Sequence, residues 1–81
     1  MTIDDVLLPT AAMIARNMFG PAAKVEPAWG IDIYHVELAG NWLGNIVLMD
    51  DGKWMHELQV EEAGMLDVVL LPIAPELQVR A

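Results

Sequence analysis

The Gly20-Pro21 pair divides the chain into two parts with different hydrophobic periods, and no regular element is expected to run across it. Glycine takes the left-handed conformation that ends a helix, and proline cannot continue one. Before the break, Leu7, Ala11, Ile14 and Met18 recur at helical spacing, with Leu8, Ala15 and Phe19 alongside. Thr10, Arg16 and Asn17 gather on the opposite side. Thr2, three positions before Asp5, makes a capping-box-like start, and Asp4 and Asp5 suit the positive end of the helix dipole. The first 20 residues are therefore expected to form one helix. Pro9 is its irregularity, either bending the first turns or marking where the regular helix begins.

After the break, short β segments are expected at 24–26, 31–38, 45–49, 54–61 and 66–71, with a sixth at 77–79. Asp50-Asp51-Gly52-Lys53 contains the Asp-Gly pair favoured in a two-residue type I′ hairpin. That turn sets Asp50 opposite Lys53 and Met49 opposite Trp54. The alternation then places Val47, Met49, Trp54, His56, Leu58 and Val60 on one face, towards the helix. Ile46, Leu48, Met55, Glu57, Gln59 and Glu61 fall on the other. The strand at 66–71 is apolar on both faces apart from Asp67, as though covered twice, yet the chain offers one helix to cover it. The expected fold is α+β: a single domain, residues 1–81, with an N-terminal helix on a four- to five-stranded antiparallel sheet able to curl towards a barrel.

Composition narrows function mainly by exclusion. The chain has no serine and no cysteine, and its hydroxyls at Thr2, Thr10 and Tyr34 stand in no base-activated motif. Paired acids at Asp4-Asp5, Asp50-Asp51 and Glu61-Glu62 fit a helix start, a turn and a strand end better than an acid/base pair across a cleft. A metal site would have to unite His35 and His56 with acids such as Asp32, Glu37, Asp50 or Glu57, and no ligand spacing suggests it. His56, on the core-facing side, reads as a hydrogen-bonded packing residue. Gly40, Gly44 and Gly52 fit turns or bulges and match no phosphate-binding loop. The sequence thus points to no enzyme, no cofactor and no metal.

Twelve acids against four bases give a formal charge of −8 over 81 residues. Arg16, Lys24, Lys53 and Arg80 are scattered, which opposes direct DNA binding and favours a basic protein surface as partner. Trp29, Tyr34, Trp42 and Trp54 lack the basic neighbours that base stacking needs; at least two of the tryptophans are expected in the core. The apolar run at 68–74 is far too short to span a bilayer, and the N-terminus lacks the basic region of a secretory signal. A cytoplasmic location without membrane contact is expected. Hydrophobic residues make up 56% of the chain, more than so small a domain can bury, so a homo-oligomer, with a dimer favoured, or a partner interface is expected.

From Tyr34 onward the pattern resembles the Sm-like small barrels. Val36-Glu37-Leu38 before Gly40, then Gly44-Asn45-Ile46 leading to Asp50, is similar to that family's first motif. Trp54-Met55-His56 falls near its Asp-x-x-Met-Asn element, with one residue inserted and histidine for asparagine; Leu71-Pro72 stands where the second motif has Arg-Gly. The resemblance implies a helix followed by bent strands and subunits joined into rings by edge pairing.

The leading expectation is a non-enzymatic, acidic protein-binding module: an inhibitor or adaptor that masks a basic, nucleic-acid-holding surface, as small inhibitors from phages and mobile elements do. Asp50, Asp51, Glu57, Glu61 and Glu62 would supply charge, and Trp42 or Met55 apolar anchors. The alternatives are an Sm-like ring that binds RNA or scaffolds an assembly, and a homodimeric structural subunit.

Overall fold

The computed structural model describes residues 3–28, 30 and 32–79, the side chains of 3–5 excepted. The expected Thr2 cap, the side chains of Asp4 and Asp5, Trp29, Ile31 and Arg80 lie outside this description. Helix α1 spans Ile3–Phe19 and runs through Pro9. It stops where the sequence predicts, with Gly20 at φ +105° and its N–H on the Arg16 carbonyl at 2.8 Å. Five strands follow: β1 Lys24–Pro27, β2 Ile33–Leu38, β3 Asn41–Leu48, β4 Trp54–Glu62 and β5 Met65–Pro72. They pair consecutively and antiparallel in the order β1-β2-β3-β4-β5, so the sheet stays open with β1 and β5 as its edges. The barrel closure that the sequence allowed does not form. The sixth strand is also absent: a 3₁₀ turn, Pro75–Gln78, occupies that stretch, opened by a proline that cannot donate to a ladder.

The core lies between α1 and one face of the sheet. Ala11, Ile14 and Ala15 from the helix meet Ala23, Tyr34, Val36, Ile46, Trp54 and Ile73. The Tyr34 and Trp54 rings sit 6.1 Å apart. Asn17, from the polar side of the helix, donates to the carbonyls of Leu77 and Val79 at 3.0 and 3.2 Å, tying down the C-terminal turn. Trp54 is the one tryptophan buried among the described residues, and Trp42 is 39% exposed.

One hairpin differs from its expected turn chemistry, and two others adopt the type I′ geometry in its place. The type I′ geometry requires positive φ at both central residues. Ala39-Gly40 and Ala63-Gly64 supply it, at +53° and +82° and at +52° and +78°. They close two-residue loops between Leu38 and Asn41 and between Glu62 and Met65. At Asp50-Asp51-Gly52 only Gly52 is positive, at +85°. The loop there has three residues: Met49 N–H bonds the Lys53 carbonyl at 2.8 Å, and Asp51 accepts from Lys53 N–H at 3.0 Å. Leu48, not Met49, therefore faces Trp54. One residue of slip exchanges the faces of a strand. Ile46 and Leu48 join the core face in place of Val47 and Met49, while β4 keeps the expected assignment, with Trp54 and His56 inward.

Candidate functional site

The sheet face away from α1 is organised by a bulge at Gly44. His35 pairs with Asn45 and Glu37 with Trp42, so Leu43 and Gly44 together oppose Val36. Gly44 takes φ +99°, and a Cβ there would run into the Glu57 carbonyl and reach within 2.8 Å of His56 Nε2. The bulge directs the Leu43 carbonyl inward, where His56 Nε2–H donates to it at 2.7 Å while Phe19 packs edge-on against the imidazole at 5.4 Å. His56 is thus a satisfied core residue, as its sequence position suggests.

The same extra residue brings Trp42 and Asn45 to one face, although three positions apart in a regular strand they would point oppositely. A lateral row results: Glu26, His35, Asn45, Glu57 and Leu70, one from each strand. Asn45 Nδ2 donates to Glu57 at 2.8 Å, and its Oδ1 accepts from the Trp42 indole at 3.3 Å. That held indole stacks on His35, with centroids 5.9 Å apart and planes 22° apart. An open hollow of about 460 Å³ lies against these groups, lined by Ala28, Ile33, His35, Trp42, Asn45, Glu57 and Gln59. Glu26, His35 and Glu37 converge beside it, their donor atoms all within 4.8 Å of one another. His35 and His56 occupy opposite faces, so no site can use both.

The expected charge set is spread out. Glu57 and Glu61 share the outer face with Trp42 and Met55, whereas Glu62 has the opposite parity. Asp50 and Asp51 sit in the loop at the near end of β4. At about 3.3 Å per residue, the length of β4 separates them from Glu61 and Glu62 by roughly 30 Å. Glu26 escapes sequence reasoning because nothing but strand register brings it beside His35, and a nine-residue separation carries no motif.

β5 departs most from an ordinary strand. All eight of its residues are exposed, including Met65 at 69%, Leu66 at 70% and Val68 at 61%. β3 pairs with β4 only through 54–57, so residues 59–68 project as a two-stranded arm. Leu66, Val68 and Leu70 line its outer face beside Glu57, Gln59 and Glu61. No helix among the described residues is long and apolar enough to cross a membrane. No protein family, curated protein or solved structure matches the chain.

Proposed function

We propose that this chain is a non-enzymatic protein-binding module, an inhibitor or adaptor that covers a basic surface of a partner protein with an acidic-rimmed apolar contact. The observation that carries this reading is β5, apolar yet exposed along its whole length. With Val60, its apolar side chains are exposed on both faces of the arm, Leu66, Val68 and Leu70 on the outer face and Val60, Met65, Val69 and Leu71 on the other. Exposed apolar clusters of this kind mark interaction surfaces. The arm contains Glu61, Glu62 and Asp67 and no lysine or arginine. Such a surface attracts a cationic partner and repels an anionic one.

The test is capture of binding proteins from native-host extract on the wild-type chain, followed by rebinding of the isolated prey. Replacing Leu66 and Val68 by aspartate, or Glu57 and Glu61 by glutamine, is expected to weaken rebinding at least about tenfold. Added salt weakens it as well. A prey indifferent to both variants, or no prey under any salt condition, overturns the proposal.

The free, apolar edge of β5 favours a second reading, a homodimer joined through that edge. Two copies would bring like charges together, so this dimer strengthens with salt while the basic-partner complex weakens. Light scattering across ionic strength separates the two.

A further inference from the structure

We propose that Glu26, His35 and Glu37 form a binding site for one divalent transition-metal cation of the zinc class, on the outer face of the sheet. Two carboxylates and one imidazole are a donor set suited to such an ion. Register alone unites them: Glu26 is the cross-strand partner of His35, and Glu37 follows His35 by two residues on the same face. Their donor atoms already lie within 4.8 Å of one another. Tetrahedral zinc, with bonds near 2.0–2.2 Å, needs donors about 3.3 Å apart, a closure that glutamate side-chain rotation can supply.

Two further features single this cluster out from the chain's other acids. Among the described residues, none of the three side chains makes a hydrogen bond or an ion pair, although Lys24 stands directly across from Glu37. Their donor atoms converge on strands whose backbones are fixed by the ladder. The hollow is the other feature. His35 lines it, with its ring set by the stacked indole of Trp42, itself held by Asn45 and through it Glu57. Orientation of a ligating imidazole by neighbouring groups is how metal sites are tuned. Three protein donors leave a fourth coordination position open, and the hollow beside His35 has room for a water or an oxygen-bearing ligand there. Zinc would pin the edge strand β1 to β2 and reduce the negative charge of this face.

The experiment is calorimetric titration of Zn²⁺ into the untagged, full-length chain after chelator treatment, with the His35 imidazole and Trp42 indole resonances followed in parallel. One ion per chain with micromolar affinity is expected, with both rings shifting as it binds. Glu26→Gln, His35→Asn and Glu37→Gln should each weaken binding at least about tenfold, as expected for loss of a direct ligand. His35→Cys, which keeps a zinc donor, should restore it, and Asp50→Asn with Asp51→Asn should leave it unchanged. Circular dichroism confirms that each variant is folded. The proposal is overturned if uptake stays within about twofold of wild type in the folded Glu26→Gln and His35→Asn variants. It is equally overturned if millimolar zinc gives no stoichiometric binding.

Discussion

Gly44 connects the core to the outer face at the scale of a single residue. Its positive φ permits the bulge, the bulge turns the Leu43 carbonyl towards His56, and the same extra residue returns Trp42 to the side of Asn45 and His35. A methyl group at 44 would add left-handed strain and a backbone collision with Glu57. Gly44→Ala is therefore expected to cost more than about 3 kcal/mol in urea unfolding. Gly40→Ala is the control: φ there is also positive, at +82°, but the space around it is open. Its cost should be about 1 kcal/mol. Equal costs at the two positions would mean that backbone conformation, and not the close approach to β4, sets the requirement at 44. Ile14, Tyr34, Val36 and Ile46, the largest fully buried side chains, show how small the core is. A loss of this size is a large share of the stability of so small a domain.

At the scale of elements, Pro9 lies in the interior of α1, where it can donate no hydrogen bond to the preceding turn. Residue 9 is exposed, so its ring is not a core contact. Relief of about 3 kcal/mol in the helix, less up to about 1 kcal/mol from a looser unfolded chain, makes Pro9→Ala stabilising by roughly 2 kcal/mol. Thermal unfolding should rise by upward of about 8 °C; an unchanged midpoint would show that the helix path depends on this proline. The helix itself was legible from its apolar stripe and from the Gly20-Pro21 stop, since both act locally. Five of the six expected strands were legible for the same reason, as were the inward faces of Trp54 and His56, though β3 starts four residues earlier than expected and the stretch at 77–79 forms none. The face of β3 was not. Asp-Gly fits both a two-residue loop and a three-residue loop with glycine left-handed, and that choice moves Ile46 from one face to the other. Both type I′ turns fell instead at Ala-Gly pairs, where alanine has no intrinsic preference for positive φ. The Glu26–His35–Glu37 cluster inherits the same limit, because pairing between strands, and not spacing along one, brings its members together.

For the whole molecule, the outcome is a sheet covered on one side and at one end. α1 and the 3₁₀ turn cover the part of the sheet that contains Tyr34, Val36, Ile46 and Trp54, and residues 59–68 extend past that cover. A two-stranded hairpin alone in water is marginal at best. This one has only one strand ladder to hold it, and most of its apolar side chains are solvated. Local opening free energies follow such differences in burial and pairing. In the dilute chain, amides of 60–67 should therefore exchange orders of magnitude faster than those of Tyr34, Val36 and Ile46, which should approach the global limit. A bound partner that covers β5 would bring the arm towards the protection of the core, and this gain should disappear with Leu66 and Val68 replaced by aspartate. A self-associating chain behaves differently: arm protection would rise with protein concentration and with salt, in the absence of any second protein. Arm amides as slow as the core at every concentration would contradict the reading of β5 as an uncovered contact strand. Hydrogen exchange followed residue by residue across a concentration series makes the measurement, and the arm is the one segment whose protection the competing assemblies change in opposite directions as salt is added.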